Sequence, residues 1–507
     1  MTATPQEARR IAVVGAGLMG RGIAQIAAQA GFEISLFDVE PGAAAEARRT
    51  IGSTLATLAG KGKFSPDDGA RALARITVAD ELGELSRAEL VIEAIVERLD
   101  AKQALFAALE SIVGENCILA TNTSSLSVTA IASACARPDR VAGLHFFSPV
   151  PLMKLVEVIG GLLTTPAVIE RLLAFGARLG HTAVRARDTP GFIVNHAGRG
   201  YGTEALRILG EGIADVATID RVLTEGVGFR MGPFALFDLT GLDVSQPVME
   251  SIYHQYYEEP RFRPSPLGAQ RLAAGLLGRK TGRGFYEYDD AATSVPPRAA
   301  PDAAPPNRVW VSASDPAARE RVVALVHRLG AEVDAAARPA SDAVCLVLPC
   351  GKDATTAVLD EGLDPARTIA LDALLDLARH RTLMTTPVSR PEIRDAARAL
   401  FATDGGSVSI IHDSPGFIAQ RVLAHIVNVA CDIAQQRIAA PPDIDRAVKI
   451  GLAYPMGPLA WGDALGPARV LTILSELMRA YGDPRYRPSP WLSRRARLGV
   501  SLLTPEG

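Results

Sequence analysis

The chain has 507 residues, 48% hydrophobic and 21% charged, with a formal net charge of −3. That length predicts about three or four domains of ordinary globular composition. The charge balance gives no overall attraction to nucleic acid or an anionic membrane, so an anionic ligand must be held by local groups.

The N-terminal stretch MTATPQEARR lacks the apolar core of a secretory leader. No run reaches the roughly 18 apolar residues of a membrane span. The first third of the chain alternates short β-rich runs with Ala/Leu/Arg-rich stretches of helical period. The strand candidates are RIAVVGAG, EISLFD, ELVIEAIV, CILATN, RVAGLHFF and KLVEVI. Such alternation predicts a parallel sheet with crossover helices, a Rossmann-type α/β domain over residues 1–187.

The first strand runs into GAGLMGRG, with Gly15, Gly17 and Gly20 in GxGxxG spacing and Leu18 and Met19 in the turn. The first glycine permits the tight turn, the second lets backbone approach a pyrophosphate, and the third allows close helix packing. The helix that follows offers free N–H groups and a positive dipole end to the phosphates. Asp38 ends the second strand, close to the expected spacing of about 20 residues, where a carboxylate binds ribose hydroxyls and repels a 2′-phosphate. The expected cofactor is therefore NAD rather than NADP. His145, in GLHFFSPVP, ends a strand where open α/β sheets form their ligand crevice. It is the candidate base for oxidising an alcohol.

At Asp188 the pattern becomes helical. DTPGFIVN supplies Asp188 or Thr189 as N-cap and Pro190 as an early helical residue. A helical domain is expected over 188–289, then a Pro/Ala-rich linker over 290–306. RVWVSAS, DAVCLVLP and RTIALDAL predict a second α/β segment over 307–411, and a second helical domain follows over 412–507. These last two repeat the first pair. DSPGFIAQ at Asp413 echoes DTPGFIVN at Asp188, and Met456 of MGP echoes Met231. The separations, 413 minus 188 and 456 minus 231, are both 225, and RFRPSP and RYRPSP follow in turn. The chain thus reads as a duplicated α/β-plus-helical unit. The second copy has VWVSASDPAA where the first has VVGAGLMGRG, so it is expected to be degenerate.

The five cysteines, Cys117, Cys135, Cys345, Cys350 and Cys431, form no CxxC pair and no zinc spacing with histidine. No metal is expected, and the odd count without a framework predicts a reducing, cytoplasmic setting.

HFFSPVPLMKLVEVI, GAGLMGRGIA, VIEAIVERLDAKQALF, TNTSSLS and DTPGFIVN together resemble the 3-hydroxyacyl-CoA dehydrogenase family over roughly residues 8–288. The layout resembles its long bacterial members, including those of phenylacetate degradation that act on 3-hydroxyadipyl-CoA. The resemblance implies NAD-dependent oxidation of an (S)-3-hydroxyacyl-CoA, such as 3-hydroxyadipyl-CoA or 3-hydroxybutyryl-CoA, to the 3-ketoacyl-CoA. By motif, His145 matches the general base and Glu157 the acid paired with it. Ser124 and Asn195 match the groups at the substrate oxygen. Glu97 and Lys102 match positions near the nicotinamide ribose, and Lys61 and Lys63 fall in the region that touches CoA. Ser148 stands where the family usually has Asn.

TLMTTPVSRPEI of the second half, aligned with LHFFSPVPLMKL, has no histidine and no matching acid, so one active site per chain is expected. The second copy is expected to cover the dimerisation face of the first, as a monomeric pseudo-dimer; a homodimer is the other arrangement. Two further readings compete: a β-hydroxyacid dehydrogenase of small free acids, and a redox-silent NAD-binding or structural protein.

Overall fold

The computed structural model describes residues 9–63, 65–289, 292–293 and 303–506. Most of the expected linker lies outside the described residues. The first sheet holds β1 (Arg10–Val14), β2 (Glu33–Phe37), β3 (Ile76–Val78), β4 (Leu90–Glu93), β5 (Ile118–Thr121), β6 (Val141–Phe146), β7 (Leu155–Gly160) and β8 (Thr182–Arg187). Their order is β3-β2-β1-β4-β5-β6-β7-β8, and only the β6–β7 pair is antiparallel. Alternate residues of β1 face opposite sides: Ile11 and Val13 enter one apolar cluster, Ala12 and Val14 the other. Helices cover both faces, as a parallel sheet requires.

A two-stranded hairpin, β9 (Tyr288–Asp289) and β10 (Ala292–Thr293), precedes the second sheet. That sheet holds β11 (Arg308–Val311), β12 (Glu332–Asp334), β13 (Val344–Val347), β14 (Thr368–Leu371), β15 (His380–Thr385) and β16 (Ser407–Ile411). Its order is β12-β11-β13-β14-β15-β16, with β14–β15 antiparallel. It is the first sheet with two parallel strands removed. β15 and β16 begin 225 positions after β7 and β8, the separation set by the sequence repeat.

The compact units do not follow chain order. One comprises the chain up to His196 together with Gln436–Leu452; the other comprises Ala197–Gln435 and Ala453–Gly507. Within the second, the helices Arg199–Gly210 and Ala419–Gln435, equivalent members of the two helical copies, pack along each other. Gly200 makes this possible, since a Cβ there would lie 2.9 Å from the Ile426 Cα. Buried Glu204 faces Arg421 at 2.8 Å and Arg485 at 3.3 Å.

One local expectation is corrected. Asp188 does not cap the helix that follows it, and Pro190 lies in a turn. Gly191 (φ 77°) and Phe192 (φ 46°) are left-handed, which delays the helix to Val194. The Asp188 carboxylate instead accepts from the Val128 and Thr129 N–H groups and the Ser127 hydroxyl, at 2.7–2.9 Å, capping the helix Val128–Ala132. Asp413 accepts from Ala354 N–H and Thr355 N–H in the same way, and Phe417 is again left-handed.

Candidate active site

Beyond β1 the chain turns sharply at Gly15, whose φ of +101° favours glycine and whose missing Cβ would sit 2.5 Å from the Ala94 carbonyl oxygen. Gly20 packs so closely that a Cβ would overlap the Gly15 carbonyl. Gly17, at the N-cap of the helix Leu18–Gln29, has open space where its Cβ would be. This is a cradle for a pyrophosphate at a helix N-terminus. Asp38 closes it, its carboxylate accepting from Ala16 N–H at 2.6 Å and Glu40 N–H at 2.9 Å. Both oxygens retain lone pairs for ribose hydroxyls. The residues present fit a dinucleotide.

Beside the turn opens a cavity of about 320 Å³. It is lined by Met19, Ala94, Ile95, Glu97, Lys102, Asn122, Ser124, His145, Phe146, Phe147, Ser148 and Asn195. His145 and Glu157 are register partners on β6 and β7, and the imidazole Nδ1 donates to Glu157 Oε2 at 2.7 Å. Glu157 is fully buried, which is tolerable for a carboxylate only when its acceptors are filled. Its other oxygen accepts from Ile193 N–H at 3.0 Å and Val194 N–H at 2.9 Å. Those N–H groups point at it because of the left-handed Phe192. The rings of Phe147 and Phe192 lie 4.4 and 5.8 Å from the His145 ring, holding its plane. Asn195 follows the same turn and donates to the Ser124 carbonyl at 3.5 Å.

Glu97 organises the opposite wall. One oxygen accepts from Ser124 N–H (2.8 Å), Ser125 N–H (3.1 Å) and the Thr123 hydroxyl (2.7 Å); the other lies 3.3 Å from Lys102 Nζ. Burial pushes the Glu97 carboxyl up, but Lys102 and these donors outweigh it and hold the group below its ordinary range. Lys102 is itself buried and bound to Glu93 at 2.5 Å. The Glu93 carboxylate also accepts from the Thr121 hydroxyl at 2.6 Å.

The cavity thus brings together Met19, Glu97, Lys102, Ser124, His145 and Asn195, with Ser148 in the wall. Gly15, Gly17, Gly20 and Asp38 form the adjoining cradle, and Glu157 stands behind His145. Leu18 is 63% exposed, and Lys61 and Lys63 sit exposed in the turn after the helix Ala43–Gly60; none of the three lines the cavity. Sequence reasoning passed over Glu93, Asn122, Phe147 and Phe192. Asn122 accepts from Phe146 N–H at 2.8 Å, pinning the strand end that carries His145. The signal for Glu93 was available: an acid inside the apolar strand LVIE needs a buried cation, and Lys102 lies one helix start away.

In the second copy the expected alignment of TLMTTP with the His145 segment is corrected. TLMT lies on β15, the counterpart of β7, so Thr382 stands where Glu157 does. Continuing the β14–β15 register places Asp372 opposite it, and Asp372 N–H donates to the Thr382 carbonyl at 3.0 Å. Asp372 therefore holds the His145 position. Gln420, the counterpart of Asn195, donates to Asp372 Oδ1 (2.9 Å) and the Pro349 carbonyl (3.1 Å), and accepts from Gly351 N–H (2.7 Å). The amide ties together the walls that in the first copy stand apart, leaving about 20 Å³. Among the described residues no His/Cys/Asp/Glu group could hold a metal, and no helix is long and apolar enough to cross a membrane.

The family model described as "3-hydroxyacyl-CoA dehydrogenase, NAD binding domain" matches residues 10–189. The model described as "3-hydroxyacyl-CoA dehydrogenase, C-terminal domain" matches residues 191–288 and 416–501. The chain is 38% identical over 490 residues to a 3-hydroxyadipyl-CoA dehydrogenase of Escherichia coli, covering 96% of this chain and 97% of that protein. It is 43% identical over 284 residues to a probable 3-hydroxybutyryl-CoA dehydrogenase of Bacillus subtilis, covering 56% of this chain and 99% of that one. A crystal structure titled 3-hydroxybutyryl-CoA dehydrogenase, from Escherichia coli K12, superposes with a TM-score of 0.85 at 36% identity, covering 97% of this chain and 99% of that one.

Proposed function

The chain belongs to the 3-hydroxyacyl-CoA dehydrogenase family and is an NAD-dependent oxidoreductase of 3-hydroxyacyl-CoA thioesters; from that premise we propose that His145 is its general base and Glu157 the acid that orients it. The observation that carries the proposal is the 2.7 Å contact from His145 Nδ1 to a buried carboxylate, in the wall of a cavity beside the dinucleotide cradle. With Nδ1 held as the donor, Nε2 is left to take the proton of the C3 hydroxyl, and the carboxylate stabilises the imidazolium that forms. Ser124 and Asn195 flank that oxygen and polarise it as it becomes a carbonyl. NAD, when bound, supplies the hydride acceptor. Glu97 and Lys102 hold the nicotinamide ribose, and Lys61 and Lys63 meet the CoA phosphates.

The proposed substrate is 3-hydroxyadipyl-CoA, on the strength of full-length similarity to the Escherichia coli dehydrogenase of that name. Buried Glu204 and Arg421, between equivalent helices of the two copies, support a monomeric pseudo-dimer. Five free cysteines support a reducing, cytoplasmic setting. The test follows NADH absorbance with acetoacetyl-CoA, then with the dicarboxylyl thioester. His145→Ala should lower kcat on the order of 10²–10⁴-fold. A near-normal rate in that variant would remove His145 from the role. Turnover of alkyl thioesters alone would remove the adipyl tail, and a sedimenting dimer the pseudo-dimer.

A further inference from the structure

The helix Pro441–Gly451 comes from the degenerate half of the chain, yet it belongs to the compact unit that carries the His145–Glu157 pair. It packs against β7 and β8, and just before it the Ile438 carbonyl accepts from Arg187 N–H at 2.9 Å. Its last residue, Gly451, fits so closely that a Cβ there would lie 2.9 Å from both Cγ methyls of Val194 and 3.1 Å from a Leu155 methyl. Both neighbours bear on the site. Val194 N–H donates to Glu157 Oε1, Asn195 is the next residue, and Leu155 lies two positions before Glu157 on β7.

The duplication supplies an internal comparison. Gly226 is the counterpart of Gly451, 225 positions earlier, and packs on His380, the counterpart of Leu155. There the nearest atom to an added methyl would be the His380 Cβ at 3.5 Å, an ordinary contact. The same exchange of helices therefore occurs in both copies, and it is tight only against the copy with an intact base and acid. We infer that the helix Pro441–Gly451 is a positioning element for the reaction, its Gly451 setting, through Val194, where the Glu157 carboxylate and the Asn195 amide stand. The degenerate half is thus part of the working site's support.

This inference rests on the His145–Glu157 reading, and the test separates the two. In the full chain, Gly451→Ala adds one methyl against a β-branched side chain whose two methyls cannot both swing aside. The Val194 backbone must then give by a few tenths of an ångström. Because misplacement of about 1 Å can reduce rate by about 10²-fold, we expect kcat to fall on the order of tenfold, with the Kd for NADH and the KM for acetoacetyl-CoA within about twofold of wild type. The matched Gly226→Ala change should leave all three unchanged. Adding Val194→Ala to Gly451→Ala removes the two Val194 contacts, leaving only the 3.1 Å approach to Leu155, and should recover most of the lost kcat; kcat is counted per NADH-binding site, so a general loss of folding does not mimic the effect. Wild-type kcat in Gly451→Ala, or a loss that Val194→Ala does not relieve, overturns the inference. His145→Ala near full activity would instead overturn the base assignment beneath it.

Discussion

Glu157→Gln tests the electrostatic core of the site with almost no change of volume. The carboxylate is fully buried and has three donors: His145 Nδ1 at 2.7 Å, Ile193 N–H at 3.0 Å and Val194 N–H at 2.9 Å. A glutamine has one acceptor oxygen and one donor NH₂. With its oxygen kept under the two backbone N–H groups, its NH₂ faces His145. Nδ1 must then accept, the ring proton moves to Nε2, and the nitrogen meant to take the substrate proton is already protonated. Charge stabilisation of the imidazolium is lost as well: at 2.7 Å and an effective dielectric constant of about 20, it is about 6 kcal/mol. Some of this is recovered by relaxation, so a loss of about 4–6 kcal/mol is expected, a fall in kcat of roughly 10³–10⁴-fold. The assay is NADH consumption with acetoacetyl-CoA, alongside fluorescence titration of NADH, which should bind normally because Glu157 lies behind His145 and not in the cradle. A Glu157→Gln enzyme within tenfold of wild type would refute the reasoning.

Asp38→Asn removes the charge at the end of β2 while keeping an acceptor for Ala16 N–H; a unit charge near a 2′-phosphate is worth about 1–4 kcal/mol, so the NADH-over-NADPH preference in Kd should narrow at least about tenfold, and an unchanged ratio would argue against its role. Glu204→Ala leaves two buried guanidinium groups, Arg421 and Arg485, short of a partner, and should cost about 3 kcal/mol in urea unfolding, the low end for a broken buried pair because Arg421 keeps Glu211; a loss under about 1 kcal/mol would show the network to be slack. Burial pushes the His425 imidazole down from 6.5 to about 3, with Arg485 and Arg261 adding to the effect and Glu204 opposing it. The unfolded chain takes up that proton first, so stability is lost as pH falls below 6.5, by about 2 kcal/mol at pH 5. His425→Leu should therefore lose less stability than wild type between pH 7.5 and 5, and parallel losses would count against the assignment.

The glycine turn and the His145–Glu157 pair were legible because each demands particular residues in particular spacing: glycine where a Cβ has no room at Gly15 and Gly20, and an acid opposite a strand-end histidine. Several strands were not. β8 (TAVRAR) is an edge strand whose alternate residues face outward, so its arginines read as loop. β15 opens with His380 and Arg381, both buried, because the Asp404 carboxylate and the Leu377 carbonyl receive the guanidinium. A buried arginine satisfied from distant positions has no signature in its own stretch of sequence. The late helix start at Val194 was hidden for a related reason: the left-handed Phe192 is a choice its own residue type disfavours. It is held by surroundings the sequence does not reveal. The exchange of the segment 436–452 into the first unit is wholly a matter of tertiary packing and leaves no local mark.

What survives in the second copy separates scaffold from chemistry. The Asp413 cap and the left-handed Phe417 are retained, because removing either strains or unpairs the backbone of a unit that must still fold. The positions of His145, Glu157 and Asn195 carry Asp372, Thr382 and Gln420 instead, a set that closes on itself through Gln420. Placing His, Glu and Asn at these three positions would still not give a second site. Where the first copy leaves Gly17 open at a helix N-terminus, the second places Asp315, whose carboxylate accepts from Ala318 N–H at 3.0 Å and caps the helix Pro316–Arg328. A carboxylate already occupies the positive helix end and repels the phosphates that would need it. The triple variant Asp372→His, Thr382→Glu, Gln420→Asn should accordingly bind no second NADH, and a titration reaching two equivalents per chain would refute this account of how the copy lost its function.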